Sequence, residues 1–245
     1  MHQESTGNIV HPFLKSKIGA VLFDLDHTLW DHARVERWAL EKVCRNHNLE
    51  FEPFYENYVR INRELWAVFV KGGITVEKMR HTRFQRILEA LGASGPEPAL
   101  LSDQYLETYF TGEALIDGAI EVLTILRPRV IIGIITNGTR DTQWIKIGNT
   151  GMRPFVDFMI TPTEAACCKP DPVFFNMAFE KTGLPREQIA CIGDSYPEDI
   201  IGAANAGAGL VVWFNPGGGL PPEECEKVPH VEIRSLQDLP PLLFD

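Results

Sequence analysis

The chain has 245 residues, of which 44% are hydrophobic and 23% charged, a composition typical of globular proteins. Its formal net charge of −10 argues against binding to a nucleic-acid polymer, because such binding needs many cationic side chains at phosphates. No apolar run reaches the roughly 18 residues that a membrane span needs, and the polar N-terminus lacks a signal-peptide core. We expect a soluble, cytoplasmic monomer or homodimer that binds no membrane, with roughly its first dozen residues loosely ordered.

Short apolar runs rich in valine and isoleucine predict strands that are buried on both faces, as in a parallel sheet. Four such runs are Ile18–Asp24, Val130–Thr136, Ile189–Asp194 and Leu210–Phe214, and a weaker one is Phe158–Ile160. Helical patterns lie between them at Ala114–Arg127, Pro172–Thr182 and Asp199–Ala206. This alternation predicts an α/β fold with a doubly wound, Rossmann-like parallel sheet.

The segment from residue 31 to residue 111 breaks the alternation, because it contains helical patterns and no convincing strand. These patterns are Val35–Asn46, Phe54–Val70, Val76–Leu91 and Leu100–Phe110. In the second pattern, apolar side chains recur every three or four residues, which indicates an amphipathic helix. We therefore predict an α/β core domain of residues 1–30 and 112–245, interrupted by an all-helical cap domain of residues 31–111.

Polar residues follow several of the predicted strands, at the sheet edge where open α/β folds bind ligands. Four of them are the carboxylates Asp24, Asp26, Asp194 and Asp199. Two like charges about 4 Å apart cost roughly 4 kcal/mol at an effective dielectric near 20, so the cluster requires cations. Lys169 supplies one positive charge. The oxygen ligands of Asp24, Asp26 and Asp194 favour Mg²⁺ as the other cation.

The two aspartates after the first strand suit phosphoryl transfer. Asp24 is the predicted nucleophile and would form an aspartyl phosphate. Asp26 would protonate the leaving oxygen and then activate water against the acyl phosphate. Asp26 must be protonated at the start of this sequence, and we expect the neighbouring negative charges to favour that state.

The remaining polar residues suit phosphate binding. Thr136 offers a hydroxyl group, and Asn137 and Gly138 offer backbone N–H groups. Lys169 offers a fixed positive charge to the phosphate oxygens. Asp199 is predicted to position Lys169 or a water molecule on the metal.

The motifs FDLDHTL, IITNG, KPDP and GDSYPED, in this order, resemble the four signature motifs of the haloacid dehalogenase superfamily. The resemblance implies a hydrolase core and a helical cap inserted after the first motif. Dehalogenases of the superfamily do not keep an aspartate two residues after the nucleophile. Asp26 therefore favours phosphate ester hydrolysis, although a sugar-phosphate mutase would also keep both aspartates.

Part of the predicted cap is similar to the caps of bacterial pyrimidine 5′-nucleotidases of this superfamily. The similar segments are Leu65-Trp66, Gly73-Ile74-Thr75 and His81-Thr82-Arg83-Phe84. This similarity implies a nucleoside 5′-monophosphate as the substrate. Trp66 or Phe84 would stack on the base, and His81 or Arg83 would meet its polar edge; packing of the two aromatic residues inside the cap is the alternative.

Three other functions are compatible with the sequence. The chain could be a phosphatase for another small phosphorylated metabolite, such as phosphoglycolate or a sugar phosphate. It could also be a sugar-phosphate mutase. A catalytically idle binding protein is disfavoured, because no signature residue is missing.

Overall fold

The structure, a computed structural model, describes residues 17–244, so the prediction of a loosely ordered N-terminus lies outside the described residues. Six strands form one sheet: β1 Ala20–Phe23, β2 Ile131–Ile135, β3 Phe158–Ile160, β4 Ile189–Gly193, β5 Leu210–Phe214 and β6 Val231–Ile233. All neighbouring strands are parallel, and their order is β3-β2-β1-β4-β5-β6. This order places β1, which carries the first motif, at the centre of the sheet.

Ten α-helices lie around the sheet within the described residues. They are α1 His32–His47, α2 Phe51–Phe69, α3 Val76–Leu91, α4 Pro98–Phe110, α5 Ala119–Leu126, α6 Arg140–Asn149, α7 Pro162–Ala165, α8 Pro172–Thr182, α9 Ile201–Asn205 and α10 Leu239–Phe244. Helices α1 to α4 follow one another between β1 and β2 and pack together as a helical cap. The predicted fold class, a parallel α/β core with an inserted helical cap, is confirmed. None of the described helices is long and apolar enough to cross a membrane.

The sheet is buried on both faces, which explains the continuous apolar runs in its strands. Val21 and Phe23 of β1 pack into the core on one face, whereas Ala20 and Leu22 pack into a second core on the other. All four residues are fully buried. Successive side chains of a strand point to opposite faces, so a strand between two cores must be apolar throughout.

Two segments, which we call the crossings, connect the core to the cap side by side. The outgoing crossing is Leu29–Asp31, and the returning crossing is Ala114–Ile116. The Asp31 N–H donates to the Ala114 carbonyl at 3.1 Å, and the Ile116 N–H donates to the Leu29 carbonyl at 3.0 Å. The helix predicted from Ala114 therefore begins only at Ala119, because the preceding residues pair with the outgoing crossing.

Candidate active site

Asp24 lies at the carboxyl end of the central strand. Its N–H donates to the Ile192 carbonyl at 2.8 Å, which continues the pairing of β1 with β4. The chain then turns tightly. The Leu25 carbonyl accepts hydrogen bonds from the N–H groups of Thr28, Leu29 and Trp30, the shortest of them at 2.9 Å from Trp30. His27 has a φ of 65° in this turn, a left-handed conformation uncommon outside glycine. The turn holds Asp24 beside β4 and directs Asp26 towards α6.

Lys169 provides a fixed positive charge beside Asp24. Its Nζ donates to Asp24 Oδ1 and to Asp199 Oδ1, both at 2.6 Å, and to the Ile135 carbonyl at 3.0 Å. The other oxygen of Asp199 accepts from the Ser195 N–H at 3.0 Å. Burial lowers the pKa of Lys169, but the carboxylates of Asp199 and Asp24 outweigh burial and raise it above its ordinary value. The lysine is therefore charged, and Asp199 holds it against Asp24.

Three carboxylates can hold a metal ion. Asp24, Asp194 and Asp199 each offer an oxygen, and these oxygens lie within 4.8 Å of one another. Burial and the repulsion of Asp199 raise the pKa of Asp194 to about 7. Burial also raises the pKa of Asp24 well above its ordinary value. The Lys169 ammonium lowers this pKa, but the neighbouring carboxylates raise it again. A divalent cation would relieve this repulsion, and the all-oxygen donor set fits Mg²⁺.

Asp26 faces a lysine on α6 that the sequence interpretation did not consider. Lys146 Nζ donates to Asp26 Oδ1 at 2.5 Å, and Gln143 Nε2 donates to Asp26 Oδ2 at 2.9 Å. Burial alone would raise the pKa of Asp26, but the Lys146 ammonium, with His32 nearby, holds it well below its ordinary value. The expectation that neighbouring carboxylates keep Asp26 protonated is wrong for this arrangement. Its place among the metal ligands stays a prediction, since both of its oxygens accept hydrogen bonds from α6.

The Thr136 hydroxyl is oriented by two donors. The Gly138 N–H donates to Thr136 Oγ1 at 3.0 Å, and Gln143 Nε2 donates to the same oxygen at 2.7 Å. A hydroxyl group has two acceptor lone pairs and one hydrogen, so the Thr136 hydrogen is left to donate to a ligand. The Gly138 N–H is engaged by Thr136, so its predicted contact with phosphate stays a prediction.

Asn137 connects the second motif to the loop that carries Lys169. Its Oδ1 accepts from the Lys169 N–H at 2.7 Å, and its Nδ2 donates to the Lys169 carbonyl at 3.1 Å. Nδ2 also donates to Glu198 Oε2 at 3.1 Å. The Asn137 side chain thus fixes the loop, whereas the sequence interpretation assigned it only a backbone contact with phosphate.

A cavity lies between the cap and the core, next to Asp26. Of the four predicted specificity residues, Trp66 and Arg83 line this cavity. Phe84 is fully buried and packs against other aromatic side chains inside the cap. His81 is exposed and lines none of the cavities around the site. The structure therefore brings two of these four residues to the cavity between the cap and the core.

Tyr58, Asn62 and Tyr105, to which the sequence interpretation assigned no role in the site, also line this cavity. Arg83 Nη1 donates to the Tyr58 hydroxyl at 3.1 Å, and the Tyr58 hydroxyl donates to that of Tyr105 at 3.0 Å. The buried Arg83 Nε and Asn62 Oδ1 atoms have no hydrogen-bond partner. Buried polar atoms are rarely left unpaired, so this donor and this acceptor are candidates for ligand contacts.

The sequence profile of the haloacid dehalogenase-like hydrolases matches residues 18–207, a range that includes all four motifs. The HAD-hydrolase YfnB of Bacillus subtilis strain 168 is 32% identical over 223 residues, which cover 89% of this chain and 92% of YfnB. The chain belongs to the haloacid dehalogenase-like hydrolase family. The predicted family is confirmed.

Relatives within the family agree with the architecture described above. A crystal structure of Bacillus subtilis YfnB, bound to magnesium, superposes with a TM-score of 0.81 at 30% identity and covers 93% of this chain and 99% of that one. The pyrimidine 5′-nucleotidase YjjG of Escherichia coli K12 is 29% identical, covering 91% of this chain and 96% of YjjG. The human N-acylneuraminate-9-phosphatase is 26% identical, and the match covers 93% of this chain and 94% of that protein. Nucleotidases and phosphatases among the relatives are consistent with phosphomonoesterase activity.

Proposed function

We propose that the chain is a Mg²⁺-dependent phosphomonoesterase that acts through an aspartyl phosphate, with nucleoside 5′-monophosphates as its substrates. The arrangement around Asp24 carries this proposal. A buried lysine binds Asp24 directly, and two further carboxylates lie within 4.8 Å of it. Asp26 lies two residues away, where it is able to exchange protons with the leaving oxygen and with water.

In the first step, an Asp24 oxygen attacks phosphorus, and the bond between phosphorus and the ester oxygen breaks. The ester oxygen takes a proton from Asp26. Because Lys146 keeps Asp26 ionised, this proton must arrive with the substrate: a phosphate monoester with a second pKa near 6 would bind as its monoanion and pass its proton to Asp26, which then gives it to the ester oxygen. In the second step, water attacks phosphorus, gives a proton to Asp26 and releases Asp24 as a carboxylate.

Asp24 and Asp194 would hold Mg²⁺ together, while Asp199 keeps Lys169 in place. When bound, the ion supplies positive charge that offsets the carboxylates and the phosphate oxygens. The Thr136 hydroxyl and the Lys169 ammonium donate to the phosphoryl group. The magnesium bound by the relative YfnB supports this assignment.

The cavity between the cap and the core supports a nucleoside as the leaving group. Trp66 provides an aromatic face, and Arg83 Nε and Asn62 Oδ1 provide one free donor and one free acceptor. A nucleobase has a flat face and an edge that carries donors and acceptors, so it matches both features. The pyrimidine 5′-nucleotidases YjjG and PynA, at 29% and 28% identity, add support.

Movement of the cap would admit the substrate and then shield the acyl phosphate from premature attack by water. The hinges would lie near Asp31 and Gly112, close to the two crossings. The relative YfnB is described as showing interdomain movement, which supports this part of the proposal. Ligand-dependent protease sensitivity of these two segments tests it, and equal cleavage with and without a phosphate analogue would count against it.

A substrate panel tests the proposed function. Phosphate release from nucleoside monophosphates, sugar phosphates and an aryl phosphate is measured with Mg²⁺ and with a chelator. We expect the highest kcat/KM for pyrimidine nucleotides, no activity in chelator and no activity in Asp24→Asn. Asp103→Asn, which changes an exposed aspartate on α4, is the matched control and should retain full activity. A clear preference for sugar phosphates would overturn the nucleotidase assignment and retain the phosphatase.

A further inference from the structure

The crevice around Asp24 has an excess of negative charge. A cavity is lined there by both aspartates of the first motif and by three further carboxylates: Asp194, Glu198 and Asp199. The two buried lysines nearby are already engaged, Lys169 by Asp24 and Asp199 and Lys146 by Asp26. One divalent cation would not balance this set once a phosphate monoester is added, because the five carboxylates and the phosphate carry more negative charge than the two lysines and the metal offset.

Helix α2 of the cap presents one face to this crevice. Asn62, Arg63, Trp66 and Ala67 line it, with Val70 directly after the helix. Their spacing places them on one side of a helix that has 3.6 residues per turn. This face and Asp24 line the same cavity.

Arg63 is the one arginine or lysine among residues 17–244 that lines this crevice. It forms no ion pair within 4.0 Å with any described carboxylate. Arg60, three residues earlier on the same helix, differs in both respects, because it pairs with Glu64 at 3.2 Å and lies outside the crevice. The Arg63 guanidinium lines the crevice without pairing with its carboxylates, so it is available to bind an anion that enters the crevice.

We propose that Arg63 is a catalytic residue supplied by the cap, and that its guanidinium binds the non-bridging oxygens of the substrate phosphate. This inference rests on the proposed phosphomonoesterase function. Arginine suits the role, because its planar fork binds two phosphate oxygens at once. The phosphate must lie beside Asp24, so a side chain that lines the same crevice meets the phosphoryl group, whereas Arg83 meets the leaving group deeper in the cap.

This contact also ties the cap to the chemistry. A phosphate held by Arg63 from α2 and by Lys169 from the core bridges the two parts of the molecule. Phosphate itself then favours the closed arrangement, whichever alcohol it is esterified to. An ester with a small aryl leaving group therefore depends on Arg63 as much as a nucleotide does.

The experiment compares Arg63→Ala with the matched variant Arg60→Ala on uridine monophosphate and on p-nitrophenyl phosphate. We expect Arg63→Ala to lower kcat/KM for both substrates by about 10²–10³-fold, as for the loss of one donor to a developing negative charge. Arg60→Ala should remain within about threefold of the unmodified protein, because exposed ion pairs contribute little. Arg63→Lys should recover part of the loss, since it restores the charge without the bidentate geometry.

A binding measurement decides the same point without turnover. Calorimetric titration with inorganic phosphate, in the presence of Mg²⁺, should give at least a roughly tenfold weaker affinity for Arg63→Ala than for Arg60→Ala. Equal affinities in the two variants would overturn the assignment of Arg63. A loss of activity on the nucleotide alone would also overturn it, because Arg63 would then recognise the leaving group. Failure of the unmodified protein to hydrolyse any phosphate ester would instead remove the proposed function, and the phosphate titration would still decide the role of Arg63.

Discussion

Replacing Lys146 by methionine removes the charge that keeps Asp26 ionised. The lysine is 4% exposed, and its Nζ lies 4.2 Å from the centroid of the Trp30 ring and 5.2 Å from that of Tyr109. A methionine side chain has similar length and packs well against aromatic rings, so it should fill the space beside Trp30 and Tyr109. The substitution therefore changes the charge beside Asp26 with little change in packing.

The free energy of unfolding should decrease by about 3 kcal/mol at pH 7, the lower end of the cost of breaking a buried ion pair. Two observations favour the lower end. The Asp26 side chain is 27% exposed, so water screens part of its charge. Burial also lowers the pKa of Lys146 despite the attraction of Asp26. The desolvation of the lysine therefore offsets part of the free energy by which the ion pair stabilises the fold.

The decrease in the free energy of unfolding caused by Lys146→Met should depend on pH. Lys146 holds the folded-state pKa of Asp26 below its ordinary value, so the pair stabilises the fold above the ordinary aspartate pKa of about 3.9. That stabilisation disappears as the pH falls through the folded-state pKa. Between pH 7 and pH 4 the change comes from the variant: without the Lys146 charge, burial raises the pKa of Asp26, so its folded state carries an unpaired buried carboxylate at pH 7 but protonates it towards pH 4. The difference between Lys146→Met and the unmodified protein should therefore be smaller at pH 4 than at pH 7.

Urea denaturation at the two pH values measures these free energies. Lys42→Met is the matched control, because Lys42 is exposed and forms no ion pair with a described carboxylate, although its ammonium lies 5.9 Å from the Trp38 ring. This control should change the free energy of unfolding by less than about 0.5 kcal/mol at either pH. Equal stabilities of Lys146→Met and Lys42→Met at pH 7 would refute the reasoning. A difference that grows towards pH 4 would also refute it.

Three further outcomes are expected. Asp26→Asn with an aryl phosphate, whose leaving group needs no added proton, should release about one equivalent of the aryl alcohol in a burst and then turn over about 10²–10⁴-fold more slowly; unchanged steady-state turnover would exclude Asp26 as the base. Mg²⁺ at about 100 times its Kd should raise the free energy of unfolding by about 2.7 kcal/mol in the unmodified protein but not in Asp194→Asn, as followed by thermal denaturation. An equal gain in that variant would remove Asp194 from the metal site. Lys169→Met should reduce kcat/KM by about 10²–10³-fold and lower the midpoint of urea denaturation, because Asp24 and Asp199 lose their shared cation; retained activity would contradict the role of the lysine.

The strands and the four motifs were predictable because their signals are local. β3, β5 and α8 have the bounds that the sequence predicts, and β1, β2 and β4 differ from it by one or two residues at their ends. A strand between two cores must be apolar at every position, and this requirement is visible in a single short segment. β6 was not predicted, since its three residues include a glutamate and form too short a pattern.

The environment of Asp26 was not predictable, because its partner is distant in the sequence. Lys146 lies 120 residues from Asp26, on a ten-residue helix that carries no signature motif. The one available signal was its position on the helix that follows the Thr136 motif, at the same sheet edge. Similarly, Phe84 and Arg83 are adjacent in the chain, and only the packing of the cap decides that one lies in its interior while the other lines the cavity.

The paired crossings make the cap an exchangeable module. Because the Asp31 N–H bonds to the Ala114 carbonyl, the two ends of the inserted segment lie side by side on the core. An insertion with adjacent ends can be replaced by another of different length without displacing the strands that flank it. The carboxylates to which we assign catalysis lie on the core side of this junction, whereas Trp66, Arg83 and Arg63 lie beyond it. Grafting a different helical segment between residues 31 and 114 would therefore replace the groups that the cap presents to the crevice, Arg63 included, and leave the carboxylates and lysines of the core in place.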